Sequence, residues 1–363
     1  MSANDREAAD RQFMTRALAL AEQGLFTTSP NPRVGCVIAA ADGIIGEGWH
    51  ARAGAPHAEI EALRDAANRG HDVRGATLYV TLEPCNHVGR TGPCTEAVLR
   101  SGVRRVVAAM ADPNRIATGG AAKLRAAGVE VETGVLEQHA RALNPGFVCR
   151  IERGRPFVRL KVAITLDGRT ATDEGASQWI TGQPARDDGH AWRARACAVL
   201  TGVGTVLADN PRMTVRAVAT SRQPLRVVVD RHGDTPAEAN VLRGGALIVG
   251  SGIRNASWPA DVEHLSLPDK DGRVDLPALM HALAQRELNE VHVEAGARLN
   301  AALLDDRLVD ELLIYVAPSV LGDPARGLAL FPAARGLEER WRCSFESVDR
   351  IGGDLRIRAS VVD

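Results

Sequence analysis

Residues 56–59 read PHAE and residues 81–94 read TLEPCNHVGRTGPC, and these two stretches decide the fold of the first half of the chain. They contain His57, Cys85 and Cys94, which offer one imidazole and two thiolates to a metal ion. Three protein ligands leave the fourth position of a tetrahedral zinc open, as in catalytic rather than structural sites. Glu59 stands two residues after His57 at a predicted helix start, where it can transfer protons without being a ligand. The pattern predicts a catalytic zinc site with Glu59 as its acid and base.

The spacing of the two cysteines departs from the C-x-x-C ending of the zinc base-deaminase pattern, because eight residues separate them. The longer loop carries His87, which is a rival third ligand, and Arg90. We expect His87 and Arg90 to lie beside the zinc and to contact a polar or phosphorylated substrate; an ordinary solvated loop is the alternative. Upstream, Asn31 offers a donor and an acceptor to the edge of a heterocycle, against the alternative of a simple turn.

The length and composition indicate an ordinary globular protein of two domains. The chain has 363 residues, more than a single core commonly supports, and 45% of them are hydrophobic and 25% charged. Lys and Arg number 44 against 45 Asp and Glu, which leaves no positive excess for binding a nucleic-acid backbone. No run of about 18 apolar residues occurs, so we expect no membrane partner. The start of the chain predicts an amphipathic helix and not a signal peptide, which favours a cytoplasmic protein.

Six cysteines are spread through the chain, and without an export signal they do not predict a disulfide framework. Four of them, Cys36, Cys149, Cys197 and Cys343, have no place in the zinc pattern. We expect these four to be buried as small apolar side chains.

The first half alternates strands and helices. Strands are predicted at 34–40, 44–49, 76–82, 103–109 and 129–133, with a hairpin turn at Asp42-Gly43. Helices are predicted at 57–68, 95–101 and 121–127, where apolar residues recur at helical spacing. The alternation predicts an α/β sandwich, with helices on both faces of one sheet, in a domain spanning residues 1–150.

The stretch 144–156 contains Pro145-Gly146 and a basic cluster, and it predicts the end of a helix passing into a connector. We place the domain boundary near residue 151. In the second domain, residues 151–363, strands are predicted at 157–164, 198–201, 225–230, 246–249, 290–294 and 311–316. Helical segments separate them, so the second domain is also α/β.

The chemistry of the second domain is less explicit in its sequence. Gly202-Val203-Gly204 is only a fragment of a dinucleotide fingerprint. A strand that leads to Gly296 and then into a helix presents free backbone N–H groups to a phosphate. An ordinary tight strand-to-helix turn would give the same sequence pattern. Arg193 and Arg216 are candidates for binding a substrate phosphate, because guanidinium groups match pairs of phosphate oxygens; surface arginines are the alternative.

The whole set of motifs resembles the bacterial bifunctional riboflavin-biosynthesis deaminase/reductase family. The matching stretches are NPRVGCVI, GEGWH, PHAE, TLEPCNHVGRTGPC, LKVAITLDGRTA, SQWIT, GTVLADNPRMTVR and VEAGARLNAALL. They cover nearly the whole chain, and the P-C-x8-C spacing is this family's own form of the deaminase loop. The resemblance implies a cytidine-deaminase-like three-layer sandwich followed by a dihydrofolate-reductase-like α/β domain, and not a Rossmann domain.

The resemblance also assigns roles in the second domain, where the cofactor is NADPH. The residues implied along the dinucleotide are Ala163, Trp179, Thr205, Asp209, Gly296, Ala297, Arg298, Leu299, Asn300, Ala301 and Ala302. Those implied to face the substrate are Ser177, Arg193, Met213, Arg216 and Glu294. Lys161 is placed near the reacting sugar, and no residue is identified as the proton donor of the reduction.

The implied reactions are a deamination and a reduction. Zinc-dependent hydrolysis removes an amine from 2,5-diamino-6-ribosylamino-4(3H)-pyrimidinone 5′-phosphate, and NADPH then reduces the ribosyl group to a ribityl chain. A homo-oligomer is expected from the family. Two other hypotheses stay open: a nucleic-acid base deaminase with an accessory domain, which requires a basic face, and a binding module with a structural zinc, which requires a fourth ligand.

Overall fold

The computed structural model describes residues 3–87, 92–252, 254–331, 336, 338 and 340–362. The chain divides into two compact units, Met1–Arg153 and Gly154–Asp363. The predicted substrate residue Arg90 lies outside the described residues. In the part of the chain that the structure describes, no helix is both long and apolar enough to cross a membrane.

The first unit is built on a five-stranded sheet. Its elements, in chain order, are α1 (Ala3–Ala21), β1 (Gly35–Ala40), β2 (Gly43–Trp49), α2 (Ala58–Asn68), β3 (Thr77–Val80), α3 (Cys94–Ser101), β4 (Arg105–Ala108), α4 (Gly120–Ala126), β5 (Glu130–Thr133), α5 (Glu137–Leu143) and α6 (Pro145–Arg153). The strand order is β2-β1-β3-β4-β5. β1 is antiparallel to β2 and β3, whereas β3, β4 and β5 are parallel.

Glycines in the β1–β2 hairpin let helices lie against both faces of the sheet. A Cβ on Gly35 would lie 2.0 Å from the backbone oxygen of Ala17 in α1, and one on Gly48 would lie 2.4 Å from the backbone nitrogen of Ala62 in α2. Gly48 pairs with Cys36. Because neighbouring strand residues face opposite sides, α1 and α2 cover opposite faces of the sheet. The predicted sandwich is confirmed.

The segment 144–156 differs from the expected connector. Residues Pro145–Arg153 form α6, a second helix that begins directly after α5. The prediction of a connector was wrong because Pro145 was interpreted as a helix breaker. Proline is well tolerated in the first turn of a helix, where its missing N–H has no intrahelical partner.

The second unit is built on a nine-stranded sheet. Its elements are β6 (Phe157–Thr165), β7 (Arg169–Ala171), α7 (Gln183–Arg195), β8 (Ala198–Gly202), α8 (Val203–Asp209), β9 (Leu225–Val229), β10 (Ala246–Gly250), β11 (Val262–Ser266), α9 (Leu276–Gln285), β12 (Glu290–Val293), α10 (Ala297–Asp305), β13 (Glu311–Ala317), β14 (Arg326–Gly327), β15 (Arg342–Ile351) and β16 (Asp354–Val362). The strand order is β11-β10-β9-β8-β12-β6-β13-β16-β15, and β7 pairs separately with β14.

Parallel pairing in the centre of this sheet brings the functional segments to one edge. The seven strands from β11 to β13 in the sheet order are all parallel, and β16 pairs antiparallel with both β13 and β15. Since parallel strands end at the same edge, the segments after β8, β12 and β6 meet there. The six predicted strands are confirmed, and β7, β11, β14, β15 and β16 are additions to them.

A layer of paired charges lies on the sheet beneath α7. Arg159 of β6 is 1% exposed; it forms ion pairs with Glu290 of β12 and with Glu311 of β13, and its guanidinium lies 4.4 Å from the ring centroid of Trp192 in α7. Burying a guanidinium is costly unless its charge is compensated, and two carboxylates supply that compensation. This layer fixes where α7 sits on the sheet.

Cys36, Cys149, Cys197 and Cys343 form no disulfide among the described residues. Cys36, Cys149 and Cys197 are buried, which agrees with their predicted packing role. Cys343 is exposed, so the expectation that it would be buried was wrong. It lies on β15, the edge strand of the sheet, where most side chains face solvent.

Candidate active sites

His57, Cys85 and Cys94 form one metal-binding group in the first unit. Their ligand atoms all lie within 4.8 Å of one another. His57 Nδ1 is 3.2 Å from Cys94 Sγ and 3.6 Å from Cys85 Sγ. Ligand atoms of a tetrahedral zinc are separated by roughly 3.5 to 3.8 Å, so the donor set fits zinc in both chemistry and spacing.

Two helix starts and one loop hold the three ligands. His57 is the N-cap of α2, Cys94 is the first residue of α3, and Cys85 lies in the loop after β3. The backbone N–H of Cys94 donates to Cys85 Sγ at 3.4 Å. Hydrogen bonds from the Cys94 thiol and from His57 lower the pKa of Cys85 to about 4 against the opposing effect of burial. Cys85 is therefore ready to bind a cation as the thiolate.

Glu59 lies in the first turn of α2, beside the metal-binding group. The side chain is only 3% exposed, and burial raises its pKa above the ordinary value. Its carboxylate also forms a side-chain hydrogen bond with Cys94. A buried carboxyl next to three metal ligands has the position and the raised pKa that a general acid and base needs.

A buried carboxylate supports the loop that carries Cys85. Glu83 accepts hydrogen bonds from the backbone N–H groups of Asp112, at 3.1 Å, and Ala121, at 2.8 Å. A Cβ on Gly120 would lie 1.8 Å from the carbonyl oxygen of Pro84. The start of α4 therefore packs directly against the backbone next to Cys85.

Asn31 lies close to the metal group through His50. Asn31 Nδ2 is 3.0 Å from His50 Nε2, and the His50 and His57 rings are 5.4 Å apart in an edge-to-face arrangement. His50 Nδ1 is 3.0 Å from the carbonyl oxygen of Pro56, so Nδ1 carries the proton and Nε2 accepts from Asn31. This arrangement leaves Asn31 Oδ1 as the acceptor that Asn31 can offer to a ligand.

His87 does not join the metal-binding group of the described residues. The side chain is half-buried, and its Nδ1 has no hydrogen-bond partner within the described part of the chain. Its assignment as a substrate residue remains a prediction.

In the second unit, the starts of α8 and α10 lie side by side. α10 begins at Ala297, and its N-cap, Gly296, stands three residues after the end of β12 at Val293. A Cβ on Gly202 would lie 3.3 Å from Leu299 Cδ2, and one on Gly296 would lie 3.9 Å from Thr205 Oγ1. The predicted cofactor residues Thr205 and 296–302 thus meet at the carboxyl edge of β8 and β12, where backbone N–H groups are available to a phosphate.

Within α10, Asn300 is 1% exposed and donates from Nδ2 to the carbonyl oxygen of Leu328 at 2.8 Å. Its buried Oδ1 has no partner among the described residues. Ala301 is buried within the protein, whereas Arg298 is exposed to solvent. The first N–H groups of a helix have no partner within the helix. Together with the buried Asn300 Oδ1, which has no partner among the described residues, this helix start fits a dinucleotide phosphate and its neighbouring hydroxyl groups.

The other predicted cofactor residues occupy separate positions. Asp209, at the end of α8, accepts a hydrogen bond from Ser177, a predicted substrate residue. Trp179 is 69% exposed, and the Arg186 guanidinium lies 4.6 Å from its ring centroid. Ala163 of β6 packs against a buried cluster that includes Tyr315.

Lys161, Arg193 and Glu294 form a charged cluster at the same edge of the sheet. Arg193 Nη2 donates to Glu294 Oε2 at 2.8 Å, and its Nε bonds to the other oxygen. Burial raises the pKa of Glu294, but Arg193 and Lys161 lower it well below the ordinary value. Burial lowers the pKa of Lys161. The cluster therefore brings together three of the predicted substrate residues.

The segment that follows α8 joins this cluster. Met213 is 3% exposed, with φ 53°, and Arg193 Nη1 donates to the carbonyl oxygen of Thr214 at 3.2 Å. Arg216 is exposed, and partial desolvation together with repulsion from Arg193 and Arg212 lowers the pKa of its guanidinium. Arg193 is therefore engaged with buried groups. The Arg216 guanidinium is exposed and, among the described residues, donates only to Thr214, from Nη1 to the carbonyl oxygen at 3.2 Å and to the hydroxyl oxygen at 3.0 Å.

Comparison with known proteins places both units in one family. Residues 7–110 match the cytidine and deoxycytidylate deaminase zinc-binding region, and residues 156–356 match the RibD C-terminal domain. The riboflavin biosynthesis protein RibD of Escherichia coli is 44% identical over 361 residues, covering 95% of this chain and 98% of that protein. The chain belongs to the RibD family.

Solved structures of the family share the fold. The RibD of Acinetobacter baumannii is 40% identical, with a TM-score of 0.91 over 98% of this chain and 100% of that one. The diaminohydroxyphosphoribosylaminopyrimidine deaminase/5-amino-6-(5-phosphoribosylamino)uracil reductase of Thermotoga maritima is 34% identical, with a TM-score of 0.91 over 98% and 100% of the two chains. The predicted fold, a deaminase-like domain followed by the RibD reductase domain, is confirmed.

The sequence interpretation missed several residues that support these sites. His50 and Glu83 lie inside motifs that matched the RibD family, and each is a buried polar residue next to a predicted ligand. Their position within those motifs was the available signal. His190 and Gln223, which contact the segment 214–216, carried no such signal, because neither residue lies inside one of the matching motifs.

Proposed function

We propose that this chain is a bifunctional riboflavin-biosynthesis enzyme, with a zinc-dependent deaminase in residues 1–150 and an NADPH-dependent reductase in residues 151–363. The observation that carries the proposal is the group of His57, Cys85 and Cys94 with buried Glu59 beside it, in the unit that matches a deaminase zinc-binding region. The match of the second unit to the RibD C-terminal domain adds the reductase.

The deaminase substrate in this proposal is 2,5-diamino-6-ribosylamino-4(3H)-pyrimidinone 5′-phosphate, and the product is the corresponding uracil. His57, Cys85 and Cys94 would hold the zinc. Zinc with three protein ligands supplies a water activated for attack on the amine-bearing ring carbon. Asn31 offers Oδ1 to an N–H group of the ring, because His50 occupies its amide nitrogen.

Glu59 moves the protons of the deamination. As a carboxylate it would accept one proton of the attacking water and pass it to a ring nitrogen. It would then accept the second proton from the added hydroxyl group and pass it to the amine, which leaves as ammonia as the ring carbonyl forms. Burial raises the pKa of Glu59, which brings its two protonation states closer in free energy and so assists both transfers. His87 and Arg90, on the loop between the two cysteines, are proposed to contact the substrate.

In the second unit, residues 296–302 and Thr205 would hold the NADPH phosphates, and Ala163, Trp179 and Asp209 would contact the rest of the dinucleotide. NADPH supplies the hydride that converts the ribosyl group into a ribityl chain. The close approach of Gly202 to Leu299 and of Gly296 to Thr205 supports this placement.

The substrate of the reductase lies against Lys161, Ser177, Arg193, Met213, Arg216 and Glu294. Arg216 is the phosphate contact that the charges favour, because its guanidinium is exposed next to Arg193 and Arg212. Arg193 is held by Glu294 and by Thr214, which suits it to fixing the geometry of the cluster. Lys161 lies near the reacting sugar.

Two other functions receive less support. A structural zinc requires four protein ligands, and the described residues group only three. A nucleic-acid base deaminase requires a basic face, and the chain has a net charge of −1. We propose a phosphorylated pyrimidine as the partner, a cytoplasmic location, no nucleic-acid or membrane partner, and a homo-oligomer as in the family expectation.

The test compares the native chain with Glu59→Gln in zinc content and in ammonia release from the diamino-pyrimidine phosphate. We expect zinc to be retained and ammonia release to fall by about 10²- to 10⁴-fold. Glu61→Gln, on the same helix α2, is the matched control and is expected to keep native activity. Native protein that holds zinc but releases no ammonia would overturn the deaminase proposal; NADPH oxidation with the deaminated product tests the reductase separately.

A further inference from the structure

The backbone of residues 214–216 is held by three side chains from outside the segment and not by a neighbouring strand; within the segment, Arg216 Nη1 also donates to the Thr214 carbonyl oxygen. Thr214, Val215 and Arg216 lie outside the strands of the sheet. The carbonyl oxygen of Thr214, the N–H and carbonyl groups of Val215 and the N–H of Arg216 each bond to a side chain. We call the three side chains that make these contacts, His190, Arg193 and Gln223, the 214–216 clamp.

Two members of the clamp lie one turn apart on α7. Arg216 N–H donates to His190 Nδ1 at 3.3 Å, and Arg193 Nη1 donates to the carbonyl oxygen of Thr214 at 3.2 Å. Residues three apart on a helix share a face, so α7 presents both side chains to the segment together. The charge layer beneath α7, built on Arg159, fixes the helix on the sheet.

Gln223 contributes the third contact. Its Oε1 accepts from Val215 N–H at 2.8 Å, and its Nε2 donates to the Val215 carbonyl oxygen at 3.1 Å. A side-chain amide that pairs with both backbone groups of one residue reproduces the hydrogen bonds of an adjacent strand. Val215 is thereby fixed although no strand pairs with it.

The segment needs such support because it includes a residue in an uncommon conformation. Met213, directly before the clamped residues, has φ 53°, in the left-handed region that side chains other than those of glycine and asparagine seldom adopt. Conformations of this kind persist only where surrounding contacts determine them. The clamp supplies those contacts to the residues that directly follow Met213 in the sequence.

We propose that His190 and Gln223 are positioning residues of the reductase, which hold the 214–216 backbone so that Met213 and Arg216 meet the phosphorylated substrate. This inference rests on the proposed function, because it takes Arg216 to be a substrate contact. Neither residue touches the reacting atoms; both act through the backbone that carries Arg216.

The charges around His190 suit its role as an acceptor. It faces Arg193 and Asp187 from α7, Arg216 from the clamped segment and Glu294 from the end of β12. Burial and repulsion from the two arginines lower its pKa to about 4, so the ring is neutral at pH 7. A neutral imidazole can present a lone pair on Nδ1 to the Arg216 N–H, which an imidazolium cannot.

The test measures NADPH oxidation in the full chain for His190→Leu, Gln223→Leu and the rescue variant His190→Asn. Losing a well-placed charged contact costs a factor of about 10 to 100, so we expect the Leu variants to raise the KM for the phosphorylated substrate by that factor. The KM for NADPH and the rate of ammonia release are expected to stay native. His190→Asn keeps an acceptor near Nδ1 and is expected to recover most of the substrate affinity, and His281→Leu on α9 is the matched control.

Amide hydrogen exchange of the peptide that contains residues 214–216 gives a readout without turnover. We expect faster exchange at Arg216 in His190→Leu and at Val215 in Gln223→Leu, with native exchange in His281→Leu. Native exchange and native KM in both Leu variants would overturn the clamp. If native protein oxidises no NADPH with the deaminated product, the proposed function is wrong, and the role of the clamp in substrate binding is wrong with it. If Arg216→Ala keeps the native KM for the phosphorylated substrate, Arg216 is not the substrate contact that the clamp positions.

Discussion

Arg193 and Glu294 form a two-point ion pair, in which Arg193 Nη2 lies 2.8 Å from Glu294 Oε2 and Nε bonds to Oε1. Both side chains are mostly buried, at 16% and 17% exposure. The pair joins α7 to the end of β12. It therefore links the helix that holds the 214–216 segment to the strand that leads into the cofactor helix α10.

Glu294→Gln is expected to lower the kcat/KM of the reductase by about 100-fold, because removing one charge of a buried pair leaves the other without a partner. The measurement is NADPH oxidation with the deaminated product, and ammonia release from the same chain is expected to stay native. Glu263→Gln, which removes the exposed pair with Arg286, is the control and is expected to have little effect. A native kcat/KM in Glu294→Gln would show that the pair does not set the geometry of the site.

Cys94→Ser is expected to abolish stable zinc binding, because it removes one of the three protein donors. Elemental analysis of purified protein measures this directly, with about one zinc per native chain expected. Cys343→Ser is the matched control, since Cys343 is exposed and lies far from the pattern of ligands in sequence. Equal zinc content in Cys94→Ser and native protein would contradict the three-ligand assignment.

Gly120→Ala is expected to weaken both zinc binding and deamination while NADPH oxidation is retained. Its Cβ would lie 1.8 Å from the Pro84 carbonyl oxygen, so the backbone next to Cys85 must move. Shifts of about 1 Å at a catalytic site can reduce activity by about 100-fold. Gly252→Ala, where a Cβ meets nothing within 4 Å, is the control. Unchanged zinc affinity in Gly120→Ala would show that this contact does not position Cys85.

Asp10→Asn is expected to lower the free energy of unfolding of the first unit by about 1 to 3 kcal/mol at pH 7. This is less than the usual cost of breaking a buried ion pair, because Arg105 keeps its ion pairs with Glu130 and Glu132. Arg105 Nη1 and Nη2 lie 2.6 and 2.7 Å from the two oxygens of Asp10, and the Tyr79 hydroxyl donates to it at 2.9 Å. Asp72→Asn, in an exposed pair with Arg74, is the control.

The effect of Asp10→Asn should depend on pH. Burial raises the pKa of Asp10, but hydrogen bonds and charge from Arg105 and Tyr79 lower it below the ordinary 3.8. A carboxylate with a lowered pKa stabilises the folded state above its unfolded pKa, and that contribution is lost as pH falls through the folded value. The stability difference between native protein and Asp10→Asn should therefore shrink below about pH 4, as chemical unfolding at several pH values would measure. A difference that stays constant down to pH 3 would contradict this linkage.

The sequence predicted the first unit well because its signals are local. The hairpin turn at Asp42-Gly43 and the alternation of strands and helices needed only neighbouring residues, and Gly43 has the positive φ, 113°, that the turn requires. The metal-binding pattern was also readable, since the ligands His57 and Cys94 stand at helix starts. The support of Cys85 by Glu83 could not be predicted from the sequence, because it depends on contacts with Asp112 and Ala121, which are distant in the sequence.

The second unit was predicted less completely, and the reason differs between elements. The first half of β15, residues 342–346, is exposed on both faces, with Phe345 at 73%, so its sequence lacks the alternation of a half-buried strand. β16 does alternate, with Leu355, Ile357 and Ala359 on one side, and that signal was overlooked. The 214–216 clamp joins α7 to two later segments, and no local pattern encodes such contacts.

Gly35, Gly48 and Gly120 each pack directly against a backbone atom, and these contacts limit the substitutions that the enzyme can accept. At each of them a single methyl group would lie 1.8 to 2.4 Å from a backbone atom, whereas Gly252 and Gly353 face open space. In a saturation library the first three codons should accept no replacement, and the last two should accept many. Engineering of the deaminase half for new substrates therefore has to keep these three glycines and introduce substitutions in the loops that surround the metal-binding residues.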